Sequence, residues 1–102
     1  MEEQVAVFGY LRFPPDSIPA IRPLLAEFVR ATRDHDGCLA YDVAEDLAEP
    51  GVIRFSELWP DHASLDAHLV APHIVPWRAA AKEHGLLERY FTAYDITGAR
   101  SV

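Results

Sequence analysis

The hydrophobic pattern at the start of the chain is typical of a β-strand. Apolar and polar positions alternate from residue 4 to residue 13, and this period of two predicts a β-strand that ends at Pro14-Pro15. One face of the strand carries Val5, Val7, Gly9, Leu11 and Phe13, and the other carries Ala6, Phe8, Tyr10 and Arg12. Large apolar side chains therefore occupy both faces.

The spacing then changes to that of an amphipathic helix. Apolar or small side chains recur every three or four residues at Ile18, Ile21, Leu25, Phe28 and Thr32. Asp16 or Ser17 is the expected N-cap, and Gly37 is the expected C-terminal stop. Because Pro23 removes an internal hydrogen bond, the regular helix is expected to begin near Pro23, after a looser first turn.

Two further alternating runs predict a β-hairpin. The first covers residues 38–46, and Leu39, Tyr41 and Val43 share one of its faces. The second runs from Val52 to Trp59, after the turn signal Glu49-Pro50-Gly51. Alternation places Ile53, Phe55, Glu57 and Trp59 on one face of this strand.

The C-terminal part predicts a second helix and a fourth strand. Asp61 is the expected cap of the helix, Pro72 is expected to restart or kink it, and Gly85 to end it. Pro76 is expected to keep its neighbourhood irregular. Leu86 to Ile96 reads as the last strand. The resulting order, β-α-β-β-α-β, predicts an α+β fold of the ferredoxin-like type, as a single domain over residues 1–102 with a core of about residues 4–97.

The predicted sheet is apolar on both faces. On the last strand, Leu87, Phe91 and Ala93 fall on one side and Tyr90, Tyr94 and Ile96 on the other. Helices can cover only one face of such a sheet, so the second face needs another cover. A second copy of the chain would supply it, which predicts a homodimer with sheets packed face to face.

Composition narrows the function classes. The formal net charge is −7 with no Lys/Arg cluster, which argues against nucleic-acid binding. No apolar run approaches the roughly 18 residues of a membrane span. The acidic start Met1-Glu2-Glu3-Gln4 does not resemble a signal peptide, and the single cysteine, Cys38, suits a reducing cytoplasm. We therefore expect a cytoplasmic protein with no membrane or nucleic-acid partner.

The candidate chemistry lies around the end of the third strand. Glu57 falls in an apolar row, where desolvation raises the pKa of a carboxyl group unless a donor pairs with it. Trp59 either belongs to the core or lines a cavity. His68, beside the apolar stripe of the second helix, and His73, after Pro72, are candidate general bases. A hydrogen-bonded structural role is the alternative for Glu57 and for both histidines.

Other kinds of site have little support in the sequence. The histidines at 62, 68 and 73 are six and five residues apart, whereas two metal ligands on one helix face usually stand at i and i+4. His35, His62 and His84 read as solvated helix-end residues. Cys38 has no partner spacing that marks a nucleophile, and no glycine-rich phosphate cradle occurs. We expect neither a metal nor an organic cofactor.

Several segments together are similar to a known family. They are Gly37-Cys38-Leu39-Ala40-Tyr41, Pro50-Gly51 and Glu57-Leu58-Trp59, followed by Leu65, His68 and His73. In their order and spacing the chain resembles, over nearly its whole length, the antibiotic biosynthesis monooxygenase family, which includes small quinol monooxygenases. The resemblance implies a dimeric α+β barrel with a pocket between the sheet and the helices of each subunit.

The resemblance also implies an activity. Members oxidise polycyclic phenols or hydroquinones with O2 and use no flavin, haem or metal, although many have no known activity. A related branch degrades haem with an asparagine in strand one, a tryptophan and an iron-binding histidine. Here the central position of that strand is Gly9 and the strand has no asparagine, which disfavours haem, although His68 or His73 remains able to ligate iron.

The leading hypothesis is a cofactor-independent monooxygenase that acts on a small phenolic or quinol-type aromatic with O2. His68 is the expected base or phenolate partner, with His73 second. Trp59 and Tyr10 are expected to line the cavity and orient the ring, and Glu57 to tune a histidine or anchor the wall. The remaining wall is assigned to Trp77 and Phe91.

Two alternatives stay open. One is a non-catalytic small-molecule binding or stress-response dimer, because a fold does not determine a function. The other is an isomerase or dehalogenase acting on a small aromatic-derived acid. This alternative needs a cationic clamp, for which Arg12 and Arg78 are the candidates, and exposed positions for both would weaken it.

Overall fold

A four-stranded antiparallel sheet organises the computed structural model, which describes residues 3–102. The strands are β1 (Gln4–Arg12), β2 (Ala40–Glu45), β3 (Val52–Trp59) and β4 (Glu88–Ile96). They pair in the order β2-β3-β1-β4. The predicted hairpin is confirmed, and the residues Met1-Glu2 of the expected acidic start lie outside the described part of the chain.

Three helices accompany the sheet: α1 (Ile18–His35), α2 (His62–Leu69) and α3 (Ile74–Glu83). A short 3-10 turn, Pro15–Ser17, leads into α1. The predicted ferredoxin-like α+β fold is confirmed. None of the helices in residues 3–102 combines the length and the apolar composition that crossing a bilayer requires.

The core lies between the inner face of the sheet and the helices. The register pairs Val5 with Trp59, Val7 with Glu57 and Leu11 with Ile53, so β1 and β3 present one continuous buried row. The predicted stripe of α1 is buried against it: Ile18, Ile21, Leu25, Phe28 and Thr32. Glu57 is the one carboxylate in that strand row, and its side chain is buried.

The start of α1 differs from the prediction. The helix begins at Ile18 and passes through Pro23, and Ser17 occupies the cap position without a side-chain hydrogen bond. The hydrogen bond that Pro23 cannot make is a single local loss. Burial of Ile18 and Ile21, at 5% and 0% exposure, outweighs that loss and keeps the first turns helical.

The single helix predicted after β3 is divided in the structure into α2 and α3. Asp61 caps α2 as expected, with its side chain accepting a hydrogen bond from the Ser64 N–H. The expectation that Pro76 keeps its neighbourhood irregular is wrong, because Pro76 lies within a helix. Pro76 is the third residue of α3, where a backbone N–H has no partner within the helix, so proline costs little there.

Strand ends also shift slightly. β2 begins at Ala40, which leaves Leu39 outside the strand and 52% exposed rather than on its inner face. β4 begins at Glu88 rather than Leu86, although the Leu87 N–H still donates to the Arg12 carbonyl oxygen at 2.8 Å. Gly37, Gly51 and Gly85 adopt the positive φ angles that their stop and turn positions require.

The outer face of the sheet is rich in exposed aromatic side chains. We use the term outer aromatic face for Phe8, Tyr10, Tyr90 and Tyr94. Phe8 and Tyr94 lie 6.1 Å apart between ring centroids, and Tyr10 stacks on Tyr90 at 5.9 Å. Phe8, Tyr90 and Tyr94 are each more than half exposed. The predicted two-faced sheet is thus present, and its cover by a second copy stays a prediction.

Candidate functional site

A cavity of about 410 Å³ opens between the inner face of the sheet and the helices. Its wall is predominantly aromatic and aliphatic, as is typical of small-molecule sites. The aromatic lining residues are Phe28, Tyr41, Phe55, Trp77 and Phe91. His68, Glu57 and Tyr41 are the buried titratable side chains that line it.

His68 projects from α2 into this aromatic environment and is only 4% exposed. Its ring lies 4.8 Å from that of Trp59 and 5.4 Å from that of Tyr41, between centroids. Burial lowers the pKa of the imidazole below its usual 6.5, which favours the neutral ring at pH 7. The Nδ1 atom lies 2.7 Å from Oδ2 of Asp36, which leaves Nε2 available to a molecule in the cavity.

Asp36 is a site residue that the sequence did not reveal. It is the C-cap of α1, directly before Gly37, and its side chain is 8% exposed. One carboxylate oxygen, Oδ2, accepts from both His68 Nδ1 and His73 Nε2, the latter at 2.8 Å. A carboxylate only accepts hydrogen bonds, so it selects the tautomer of neutral His68 that carries its proton on Nδ1.

His73 is placed behind His68 rather than in the cavity wall. It precedes α3, is 20% exposed, and its ring contacts Phe28 at 5.9 Å between centroids. The two predicted histidines are therefore brought together by Asp36, but only His68 lines the cavity. As a direct base His73 is poorly placed, and its contact with Asp36 suits a supporting role.

Within residues 3–102, these three residues form the group of side chains placed to hold a metal ion together. One atom each from Asp36, His68 and His73 lie within 4.8 Å of one another, and two imidazoles with one carboxylate suit zinc or ferrous iron. His62 is not part of this group, because it interacts with Asp95 instead. One nitrogen of each imidazole is already engaged with the Asp36 carboxylate, an arrangement that also serves proton transfer.

Glu57 lines the same cavity as His68, from β3. Burial raises its pKa to about 7, even though Trp59 Nε1 donates to Oε1 at 3.0 Å. The expectation that Trp59 lines the cavity is wrong. Trp59 is fully buried, and it acts on the site through its hydrogen bond to Glu57 and its contact with the His68 ring.

Comparison with known proteins decides the family. The family model described as "Antibiotic biosynthesis monooxygenase" matches residues 4–80. The chain belongs to the antibiotic biosynthesis monooxygenase family. The resemblance inferred from the sequence is thereby confirmed.

Solved structures of similar proteins agree with this assignment. A candidate antibiotic biosynthesis monooxygenase of Deinococcus radiodurans is 32% identical with a TM-score of 0.88, over 96% of this chain and 97% of that one. The Rv0793 protein of Mycobacterium tuberculosis is 31% identical with a TM-score of 0.82, over 96% and 99%. An uncharacterised protein of Synechocystis sp. is 29% identical over 72 residues, and this chain spans about half (49%) of that relative's length.

Within this member of the antibiotic biosynthesis monooxygenase family, Tyr10 does not line the cavity. It belongs to the outer aromatic face, where it stacks on Tyr90 and lies under the Arg54 guanidinium at 5.6 Å. Strand alternation is the reason, because residues one position apart point to opposite faces. Trp77 and Phe91 do line the cavity, as expected.

Gly9 explains how Phe91 reaches the cavity wall. A Cβ at this position would come within 2.6 Å of Phe91 Cγ and would also collide with the Tyr90 carbonyl oxygen. The phenyl ring of Phe91 thus occupies the space above β1 and meets Phe55 at 5.2 Å. The strand-one asparagine of the haem-degrading branch has no counterpart here.

Of the two arginines considered as a clamp for a carboxylate, only Arg78 lines the cavity. Arg12 forms ion pairs with Glu49 and Glu88 and does not line the cavity. Arg78 does line it, from α3, with its side chain exposed. Lys82 and Arg89 line it as well, and neither was singled out from the sequence.

Cys38 shows no feature of a nucleophile. Its Sγ lies 3.9 Å from the Thr32 carbonyl oxygen, and burial raises the pKa of the thiol. A raised pKa disfavours the reactive thiolate. The residue packs against the core instead.

Proposed function

We propose that this protein is a cofactor-independent monooxygenase that oxidises a phenolic or quinol-type aromatic with O2. One observation carries the proposal: His68, oriented by the Asp36 carboxylate, lines an aromatic cavity of about 410 Å³. Membership of the antibiotic biosynthesis monooxygenase family supports an oxygenase on this scaffold. The wall suits a flat aromatic ring.

The first step is removal of the phenolic proton by Nε2 of His68. The lowered pKa keeps the imidazole neutral and ready to accept a proton at pH 7. The carboxylate of Asp36, 2.7 Å from Nδ1, then stabilises the imidazolium that forms. His73, bonded to the same oxygen, fixes the orientation of that carboxylate.

The phenolate supplies the electrons that O2 requires. It passes one electron to O2 and becomes a phenoxyl radical beside superoxide. The two recombine at a ring carbon that carries hydrogen, forming a C–O bond, and the distal oxygen takes a proton. Loss of that C–H proton and cleavage of the O–O bond release water and leave a quinone, so one oxygen atom enters the product and the other enters water.

The cavity assists the reaction by excluding water and by offering hydrogen bonds to the phenolate. Phe28 stacks on Trp77 at 5.9 Å between centroids, and this pair forms a flat wall for the substrate ring. Exclusion of water strengthens the hydrogen bonds to the phenolate. Glu57, with its pKa near 7, is able to donate a hydrogen bond to a developing oxyanion.

The decisive experiment is O2 uptake by purified, chelator-treated protein. A panel of hydroquinones and anthrones is compared with a protein-free autoxidation blank. We expect uptake above the blank, and a loss of at least about 100-fold in turnover for His68→Ala, because the general base is removed. His35→Ala is the matched control, since His35 is exposed and lies outside the cavity lining.

The remaining outcomes assign other functions. Unchanged turnover in His68→Ala removes His68 from the role of base. Loss of uptake on chelation, restored by ferrous iron or zinc, makes Asp36, His68 and His73 metal ligands. No uptake for any substrate, with aromatic ligands still raising the melting temperature, identifies a small-molecule binding protein.

A further inference from the structure

Basic side chains gather at the cavity although the protein is acidic. Arg78, Lys82 and Arg89 line it, and all three are exposed, so they form its rim rather than its floor. The whole chain contains nine Lys and Arg residues against sixteen Asp and Glu residues. A third of the positive charge therefore borders one cavity.

These rim cations differ from most other arginines in their pairing. Away from the cavity, four of the six arginines have carboxylate partners, namely Arg12, Arg22, Arg33 and Arg54, whereas Arg30 and Arg100 have no ion pair within residues 3–102. No ion pair engages Arg78, Lys82 or Arg89 within residues 3–102. Surface arginines in an acidic protein readily find carboxylates, so unpaired cations at a cavity leave their hydrogen-bond donors for a ligand.

The three side chains approach the cavity from two walls. Arg78 and Lys82 are four residues apart on α3 and therefore share one face of the helix. Arg89 lies on the same face of β4 as Phe91, and its guanidinium stands 4.8 Å from the centroid of that ring. The positive rim thus faces the opening from the helix side and from the sheet side.

The carboxylate within the cavity, Glu57, forms no ion pair with these cations in the described residues, although the charge of Arg89 lowers its pKa and so opposes the larger effect of burial. Glu57 is 7% exposed and lies among apolar side chains, at the depth of His68. Its raised pKa keeps it partly protonated near neutral pH. The polar groups of the cavity thus fall into two sets. His68 and Glu57 lie at its buried end, and the three cations lie at its open end.

We infer that the cavity binds an aromatic acid whose carboxylate lies at the end of the molecule opposite its phenol. The phenol would meet His68, and the carboxylate would bind at the rim formed by Arg78, Lys82 and Arg89. A guanidinium fork binds a carboxylate in a bidentate manner. The position of the phenol rests on the proposed function, whereas the preference for an acid rests on the rim alone.

The test compares three naphthols that differ only in their carboxylate. They are 2-naphthol, 6-hydroxy-2-naphthoate and 3-hydroxy-2-naphthoate, and their binding is measured by isothermal titration calorimetry in dilute buffer. We expect 6-hydroxy-2-naphthoate to bind about tenfold more tightly than 2-naphthol, as two or three solvent-exposed ion pairs provide. The 3-hydroxy isomer, with adjacent groups, should gain less.

Charge-removing variants locate the contact. Arg78→Gln, Lys82→Gln and Arg89→Gln should each reduce the affinity for 6-hydroxy-2-naphthoate several-fold and leave that for 2-naphthol unchanged. Arg100→Gln removes one positive charge outside the cavity lining and should change neither. Added salt should weaken binding of the acid selectively. Melting temperatures of the variants check that folding is intact.

The outcomes separate this inference from the proposed function. Equal affinity for 2-naphthol and 6-hydroxy-2-naphthoate, or no binding of the acid, overturns the inference. A preference that survives in all three rim variants also overturns it. Acid-selective binding without O2 uptake by any quinol supports the rim and rejects the monooxygenase, whereas uptake of neutral quinols without acid selectivity does the reverse.

Discussion

At the scale of single residues, the candidate site depends on one short chain of polar contacts. His73, Asp36 and His68 are joined through a single carboxylate oxygen, with distances of 2.8 and 2.7 Å. Burial alone would make His68 neutral without setting which nitrogen carries the proton. The carboxylate sets it, because only the tautomer with a proton on Nδ1 satisfies both groups. The availability of Nε2 in the cavity follows from that choice.

Replacement of Asp36 with asparagine should therefore affect chemistry more than binding. An amide can donate to Nδ1, which would move the proton of neutral His68 to Nε2 and block it as a base. We expect kcat to fall about 10- to 100-fold and KM to change little, since Asp36 does not line the cavity. Nitrogen-15 NMR of the imidazole should report the changed tautomer.

A control for this variant is His73→Gln, which keeps a donor near Asp36 and should cost far less activity. An Asp36→Asn protein with normal kcat and an unchanged His68 tautomer would remove the carboxylate from the mechanism. The acid limb of the activity profile gives a second check. Because burial lowers the pKa of His68, activity should persist below pH 6.5 before protonation abolishes it.

Glu57 makes a separate prediction about stability. Burial raises its pKa from 4.5 to about 7, so the folded protein holds this proton more tightly than the unfolded chain does. The stabilisation is fully present below pH 4.5 and is lost as the pH rises through about 7. The free energy of unfolding should thus fall by about 2 kcal/mol between pH 5.5 and pH 8 on account of this residue.

Urea unfolding of the native protein and of Glu57→Gln at the two pH values isolates this effect. The glutamine variant lacks the titrating group, so the fall attributed to Glu57 should disappear. His68 acts in the opposite direction, because a lowered pKa gives stability above pH 6.5 that is lost in acid. That opposing slope should remain in the variant, and equal slopes in both proteins would contradict the prediction.

At the scale of secondary-structure elements, the close approach of β1 and β4 builds one wall of the cavity. The register places Gly9 opposite Phe91, and the absence of a side chain at Gly9 lets the phenyl ring lie over the strand. The ring then packs edge-on against Phe55 of β3. The side chain of Phe91 thus connects β4 with β1 and β3, and it can do so because Gly9 has no Cβ.

Gly9→Ala should disturb this arrangement. The new Cβ would fall within 2.6 Å of Phe91 Cγ and against the backbone oxygen of Tyr90, which cannot move without the strand. We expect a loss of about 1–3 kcal/mol in the free energy of unfolding, typical of overpacking. Thermal or urea denaturation measures it, with Gly98→Ala as control because no atom lies within 4 Å of a Cβ there. Equal stability of the two variants would rule out this packing role.

The elements themselves were largely predictable because their signals are local. The period of two in the strands and the spacing of Ile18, Ile21 and Leu25 depend only on neighbouring residues, and the structure confirms both. The prolines were harder to interpret. Pro23 and Pro76 forbid one hydrogen bond each, but whether that bond is needed depends on the distance to the helix start and on burial.

The site was predictable only in part, because its contacts are distant in sequence. His68 and Glu57 were identified from their chemistry on apolar faces. Asp36 lies 32 residues from His68, and its place at the end of a helix gave no local sign of that contact. Tyr10 was assigned to the cavity although alternation had already placed it on the opposite face. A consistent use of the strand period would have avoided that error.

At the scale of the whole molecule, the two faces of the sheet have different roles. The inner face meets the helices and the cavity, whereas nothing in residues 3–102 covers the outer aromatic face, where Phe8 is 54% exposed. Exposed aromatic side chains on adjacent strands cost free energy in water. We propose that two copies pack these faces together, as the family resemblance implies.

The proposed dimer is testable with one substitution on the outer aromatic face. Phe8→Glu would place a carboxylate in the apolar contact and, by the two-fold symmetry, a second one from the other copy. Sedimentation equilibrium at micromolar concentrations should find a dimer for the native protein and a dimer Kd at least about 100-fold weaker for the variant.

Leu47→Glu, in the exposed turn between β2 and β3, is the control, because it introduces the same charge away from this face and should remain dimeric. A native monomer at these concentrations, or a dimer that tolerates glutamate at position 8, would mean that another surface, or none, joins the copies. If Phe8→Glu is monomeric yet keeps its O2 uptake, each subunit carries a complete cavity, as expected from the position of His68 on the opposite side of the sheet from Phe8.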